Sequence, residues 1–331
     1  MIPLLFIAFA ILMVIGAPLG VALGLSGTVA IYFADLGMMS LPTSVYTGIA
    51  KYPLLAIPVF VLAGMVFERA GVALRLVNFA IAIVGHRRGG LALAAILVCM
   101  VLGGISGSGP ADAAAVATVM IPSMLRAGYP VAFSASVIAA AGSTAILIPP
   151  SIVFILYSVL VPEASVPALF AGGLIPGILA GVALMLPAWW LSVKHGFGNA
   201  GLNSGEPRQT FAQAFREAIW GLFAPVVILG GMRTGLFTPT EAAVVAVFYG
   251  LFVGLVIYRT LNARIIYELM AEAAEVSGVV LLIIALASVF AWAGSTLGAF
   301  EALGALLIGI SSNETIVLLA ITVLLLIAGM F

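Results

Sequence analysis

Apolar runs of fifteen to twenty-five residues recur along the whole chain, and they limit its folding more than any motif does. Hydrocarbon offers no hydrogen-bond partner, so a backbone that crosses it must satisfy its own N–H and C=O groups, as a helix or as a closed barrel. About 20 helical residues cross the roughly 30 Å of a bilayer core. The alternating strands of about ten residues that mark a membrane barrel are absent. With 64% hydrophobic and 7% charged residues, against about a quarter charged in soluble domains, the chain reads as an all-α polytopic membrane protein.

The interruptions of these runs carry the functional signal. Gly103 to Pro122 reads GGISGSGPADAAAVATVMIP: an apolar run leads into glycines and serines, and a helical run headed by Pro110 and Asp112 follows. A second interruption lies within Val131 to Val161, at GSTAILIPP. Paired prolines remove two backbone donors and push the preceding residue out of helix, so Ala145 to Pro149 is expected to be unwound. Irregular backbone at membrane depth is tolerated only where protein or a water-filled cavity surrounds it. Two such breaks packed together would form a cage, with carbonyls and hydroxyls from Ser106, Gly107, Ser108 and Gly109 on one wall and carbonyls from Ala145 to Pro149 on the other. Such groups replace the hydration oxygens of a sodium ion, while half-helix N-termini favour anionic groups. The bland reading of the serines is helix-packing small residues in a GxxxG-like context. For Asp112 three readings stand: an acid satisfying first-turn amides, a counter-charge in the ion site, or a proton carrier.

The remaining segments arrange themselves around these breaks. Pro3 to Phe33 reads as a retained first span, kinked but not ended by Gly16, Pro18 and Gly20; no basic n-region or cleavage site suggests a signal peptide. Lys51 to Phe67 is short for a span and carries Pro53 and Pro58, which predicts a half-membrane helix. Gly71 to Ile83 repeats apolar residues at Val72, Leu76, Phe79 and Ile83, as a helix along the interface would. His86, Arg87 and Arg88 mark that loop as cytoplasmic. Phe170 to Val193 is a full span ending in a belt of Trp189, Trp190 and Lys194. The polar segment 195–210 separates a first repeat with its connecting span, 1–194, from a second half, 211–331. There Glu268, Glu272 and Glu275 recur at helical spacing, as on a solvated face.

The two halves can be superposed. Phe67 and Gly71 match Phe290 and Gly294, Gly85 matches Gly309 and Gly104 matches Gly329 at a nearly constant offset, and Pro18 sits against Pro239. Repeats with Gly/Pro-interrupted segments point to a secondary transporter with its site between them. By this register the second copy of the break begins at Gly329, so the second repeat is expected to stop short of its own broken helix at Phe331. Other classes fare worse. There is no HExxH, GxSxG or CxxC element for an intramembrane enzyme, and no basic cluster for nucleic acid. The single cysteine, Cys99, excludes a disulfide or thiolate metal site within one chain and reads as a small buried side chain. A passive channel fits repeated broken helices less well than alternating access does.

Four stretches, LLAIPVFVLAGMVFERAG, GGISGSGPADAAAVATVMIPSMLRAGY, GSTAILIPPSIVFILYSVL and GLFTPTEAAVVAVFYGL, resemble in order the large membrane (M, or DctM-like) subunit of tripartite ATP-independent periplasmic (TRAP) transporters. The resemblance implies inverted repeats with re-entrant hairpins in an elevator-type member of the ion transporter superfamily, located in the bacterial inner membrane. It also implies sodium-driven uptake of organic acids such as sialic acid or C4-dicarboxylates, delivered by a periplasmic binding protein (P), with a small membrane subunit (Q) as buttress. No cofactor beyond the coupling sodium is implied. On this pattern the first sodium site falls on Ser106, Gly107, Ser108, Gly109, Ala145, Ile148 and Pro149, with Asp112, Ser143 and Thr144 in the vicinity of the substrate. Two departures stand out: Gly109 replaces a second serine, and Ala145 replaces a glycine, so backbone ligation survives but hydroxyl ligation at 109 does not. The family continues past Phe331, with a second break. A single-component sodium- or proton-coupled dicarboxylate or anion permease with the same repeats is the alternative.

Overall fold

The computed structural model describes residues 1–85, 87–161, 163–198, 210–310 and 313–329. His86 and most of the polar 195–210 segment therefore lie outside the described residues. The described residues form α-helices joined by short turns, and no strand occurs among them. The helices are α1 (Ile2–Val14), α2 (Leu19–Phe33), α3 (Ser40–Ile49), α4 (Ala56–Arg69, led by a 3₁₀ turn Tyr52–Leu55), α5 (Val72–Val84), α6 (Gly90–Ser106), α7 (Gly109–Arg126), α8 (Val131–Ala145), α9 (Ile152–Leu160), α10 (Val166–Lys194), α11 (Phe211–Arg233), α12 (Pro239–Phe252, continued as a π-turn Val253–Ile257), α13 (Ala263–Thr296), α14 (Ala299–Ile310) and α15 (Glu314–Ala328). Five helical stretches are long and apolar enough to cross a membrane: Tyr52–Arg69, Val166–Lys194, Phe211–Arg233, Pro239–Ile257 and Ala263–Thr296.

Contacts group the chain into two units, Met1–Lys51 with Gly278–Phe331, and Tyr52–Ser277. In the first unit the expected single span Pro3 to Phe33 is instead two helices. Gly16 takes a left-handed φ of +89° and Pro18 cannot donate to a continuing helix, so α1 ends and α2 starts afresh. The two helices pack against each other, and Phe6 and Phe9 of α1 lie 5.8 and 5.6 Å from the Phe290 ring of α13. A Cβ placed on Gly27 of α2 would sit 3.0 Å from the Phe290 nitrogen. Gly20, Gly24 and Gly27 line this approach, where small residues let backbones close on each other without help from water. Leu5, Ala30, Ile31, Val289 and Ala293 form the core of this unit. Gly71 and Gly298, with φ of +75° and +74°, each open the next helix, α5 and α14.

In the second unit, Tyr52–Arg69 is continuously helical over 18 residues, long and apolar enough to cross a membrane. Its prolines do not break it, because Pro53 and Pro58 fall in the first turns of their segments, where N–H groups have no intrahelical acceptor. Helix α5 forms as its periodicity predicts, but its buried face is Val72, Ala73, Leu76, Val77 and Ala80, packed on α6 and α11, while Ile83 is exposed. Cys99 is fully buried in α6. Lys194 reaches back over the Trp190 ring at 4.8 Å, as a residue at the edge of an apolar span does. The acidic residues of α13 are indeed solvated: Glu268 pairs with Arg264 at 3.0 Å, Glu272 with Arg69 at 3.4 Å, and Glu275 is exposed.

Candidate functional site

The site is built at the free ends of four helices of the second unit. Helix α6 ends at Ser106 and is closed by Gly107 in the left-handed conformation (φ +66°, ψ 12°), whose N–H donates to the Gly103 carbonyl. Ser108 is extended (φ −124°, ψ 95°) and caps α7, which starts at Gly109 with Pro110 in its first turn. Only Gly107 and Ser108 are non-helical, so the break is tighter than the sequence suggests. It is also a reversal. Tyr129, between α7 and α8, lies beside the backbone of Leu91 and Ala92 at the start of α6. A Cβ on Gly103 near the end of α6 would stand 2.6 Å from the Ala145 carbonyl at the end of α8. Helices α6 and α8 are therefore parallel, α7 runs back between their ends, and Gly107–Ser108 is the tip of a hairpin.

The second break lies against that tip. Helix α8 extends through Ala145, one residue further than expected; the Thr144 and Ala145 carbonyls accept from the Leu147 and Ile148 amides. Unwound backbone thus runs from Ile146 to Ser151, and Pro149-Pro150 is a cis bond. The Ile152 amide donates to the Gly107 carbonyl at 3.4 Å, and a Cβ on Gly107 would lie 2.7 Å from the Pro150 carbonyl oxygen. Glycine is needed at 107 for both its φ and its lack of a side chain. Gly64 of α4 approaches Ser106 and Gly177 of α10 approaches Leu147 and Ile148, so α4 and α10 pack against the outside of this junction.

Within it, Ser106 Oγ donates to Asp112 Oδ1 at 2.6 Å and accepts the Ser108 amide at 3.1 Å. Asp112 itself bonds no first-turn amide with its side chain. The capping reading of Asp112 therefore does not hold as stated: the Ser106 hydroxyl accepts the Ser108 amide and donates a hydrogen bond to the carboxylate. Asp112 is 3% exposed, and its second oxygen, Oδ2, has no hydrogen-bond partner among the described residues. Ser151 is fully buried with its Oγ likewise unpartnered. Ser106, Gly107, Gly109, Ala145, Ile148 and Pro149 are all buried at this junction, with Ser108 partly so. Thr144 is partly buried and Ser143 is exposed, and their hydroxyls donate back to the Ala141 and Ala139 carbonyls of their own helix, so neither hydroxyl joins the buried cluster. Ser151 is the residue that sequence reasoning missed. Its signal was its place between Pro150 and an apolar run, where a serine starts a helix. The N-termini of α7 and α9 both open at the junction, as suits an anionic group nearby.

A family model described as the tripartite ATP-independent periplasmic transporter, DctM component, matches residues 6–331. The chain belongs to this family. Its similarity to curated relatives runs through nearly all of it. It is 39% identical over 335 residues to the isethionate TRAP transporter permease protein DctMQ of Oleidesulfovibrio alaskensis, covering 100% of this chain and 52% of that protein. To the C4-dicarboxylate TRAP transporter large permease protein DctM of Rhodobacter capsulatus it is 37% identical, covering 97% of this chain and 75% of the relative. To the sialic acid TRAP transporter large permease protein SiaM of Vibrio cholerae it is 37% identical, covering 86% and 66%. The chain thus spans about half the length of the DctMQ relative and two thirds to three quarters of the others. A TRAP large-permease chain is an inner-membrane transport component and not an enzyme.

Proposed function

We propose that this chain belongs to a sodium-coupled, elevator-type permease that takes up organic acids, and that the α6–α7 tip and the 146–151 loop hold a sodium ion. The observation that carries this reading is the pair of buried, unpartnered oxygens, Asp112 Oδ2 and Ser151 Oγ, where two helix breaks meet. Leaving one such group unpaired costs about 1–3 kcal/mol, and more if it is charged. A ligand that pairs with them removes that cost. The donors on offer are all oxygen: one carboxylate, hydroxyls and the carbonyls of the unwound 146–151 segment, a hard set suited to an alkali cation. Ser106 orients the carboxylate toward its role as counter-charge, and Gly107 lets the proline loop close on the tip.

The family's named substrates, isethionate, C4-dicarboxylates and sialic acid, are anions. An anionic solute would be drawn to the N-termini of α7 and α9 beside the cation. A periplasmic binding protein delivering the solute and a small membrane subunit complete the proposed system; the fused name of the DctMQ relative fits the second. The test is uptake into proteoliposomes by the intact protein with both partners, with and without an inward sodium gradient. Uptake is expected to require the gradient and the binding protein. Uptake indifferent to sodium would falsify the coupling, and uptake that persists without the binding protein would make the chain a single-component carrier. Asp112→Asn, which keeps the shape and the acceptor for Ser106, is expected to abolish sodium dependence with expression retained.

A further inference from the structure

A cavity separate from the residues of the hairpin tip lies at one end of α11 and α12. It has a volume of about 760 Å³, and Arg75, Asn78, Gln213, Arg216, Trp220 and Tyr258 supply its polar and aromatic lining. We propose that this cavity binds the phosphate headgroup of an anionic phospholipid. The proposal does not depend on the sodium reading.

Depth in the membrane is the first argument. Tyr258 is the residue immediately after the apolar stretch Pro239–Ile257, and Arg216 lies in the second turn of α11, so the cavity sits where two crossing helices leave the hydrocarbon. Trp220 and Tyr258 are the residue types that favour this level. The loop Arg87-Arg88 after α5 and the arginines 259 and 264 after α12 give these turns the basic character of the cytoplasmic side, where anionic headgroups attract arginine.

The second argument is preorganisation. The Arg75 guanidinium lies 3.6 Å from the centroid of the Tyr258 ring and donates to the Gly71 carbonyl at 2.9 Å. The Tyr258 hydroxyl in turn donates to the Glu217 carbonyl at 2.5 Å. These bonds fix Arg75 in place while leaving part of its donor fork unused. Arg216 is exposed and makes no hydrogen bond or ion pair among the described residues. Two guanidinium groups stand against one carboxylate, Glu217, in the lining, a net positive charge for a monoanionic phosphodiester.

The third argument separates a lipid from a free anion. The cavity offers far more room than an inorganic phosphate fills, and it opens onto an apolar face. Leu74 and Ile257 form its rim, and one turn further into the membrane the exposed Phe252 stacks edge-on against Trp220 at 6.5 Å. Phe223 and Phe248 continue that exposed face. A headgroup held by the arginines would lay its acyl chains along these rings.

The experiment is native mass spectrometry of the intact protein, delipidated in detergent and titrated with phosphatidylglycerol, with phosphatidylcholine and with inorganic phosphate. Phosphatidylglycerol is expected to bind with one saturable site and phosphatidylcholine at least about five- to tenfold more weakly. Arg216→Gln removes a side chain with no structural bond. It is expected to weaken phosphatidylglycerol by a similar factor while leaving the lipid-free melting temperature unchanged. Arg264→Gln, the same charge change away from the cavity, is expected to leave binding intact. Equal affinity for the two lipids, an equal loss in Arg264→Gln, no loss in Arg216→Gln, or displacement of the lipid by equimolar inorganic phosphate would each overturn the proposal.

Discussion

Replacing Gly107 with alanine tests the junction of the two breaks at its closest point. Gly107 has φ +66°, and its Cβ would stand 2.7 Å from the Pro150 carbonyl oxygen and 3.3 Å from the Ile152 nitrogen. Holding alanine in the left-handed region costs about 1–2 kcal/mol. Pushing a backbone carbonyl aside adds the cost of overpacking, about 1–3 kcal/mol. The expected loss is therefore about 2–5 kcal/mol. Gly235→Ala supplies the reference: its φ is +76°, but nothing lies within 4 Å of its Cβ, so only the conformational cost applies. Unfolding free energies of both variants in mixed micelles should differ by at least about 1 kcal/mol, with Gly107→Ala the less stable. Added sodium should widen the gap, because a displaced proline loop offers fewer oxygens to the ion. Equal losses in the two variants would show that the loop does not rest on the tip at this glycine, and the cage would have to be abandoned.

Three further outcomes follow from the same geometry. Ser106→Ala strands both the Ser108 amide and Asp112 Oδ1, and should cost roughly 1–3 kcal/mol in the same unfolding assay; no loss would mean that the Ser106 relay carries no stability. Ser151→Ala deletes a buried hydroxyl that has no partner, so stability without sodium should hold or rise by up to about 1 kcal/mol, while the stabilisation that sodium adds should fall. An unchanged sodium response would remove this hydroxyl from the ion site. Glu272→Gln breaks a half-exposed pair with Arg69 and should cost less than about 1 kcal/mol, a difference that fades with salt in a denaturation series.

Much of the fold was legible because lipid leaves the backbone few choices. The long apolar span of α10 and the solvated glutamates of α13 follow from hydropathy and spacing. Thr238-Pro239-Thr240-Glu241 contains a capping box, with Glu241 bonding the Thr238 amide at 2.8 Å, and it starts α12 where such a signature would. Prolines were harder to read. Pro53 and Pro58 look like breakers and are not, since they occupy first turns, whereas Gly16 and Pro18 look like a kink and end the helix outright. What a proline does depends on whether its missing N–H had an acceptor waiting, and that is a matter of helix register, which an apolar sequence leaves unmarked.

The glycines and serines at 103–109 and the proline pair at 149–150 announce two irregular segments at membrane depth from the sequence alone. Chemistry dictates that much, because irregular backbone in lipid must be enclosed. The direction taken by the chain after Gly107 and the docking of Ile152 on the tip came only from tertiary structure. So did the turn of Asp112 toward Ser106 rather than toward its own amides, and the burial of Ser151 with its hydroxyl unpaired. Each of these depends on contacts between residues far apart in sequence, and the glycines that allow such contacts carry no side chain to say which neighbour they admit.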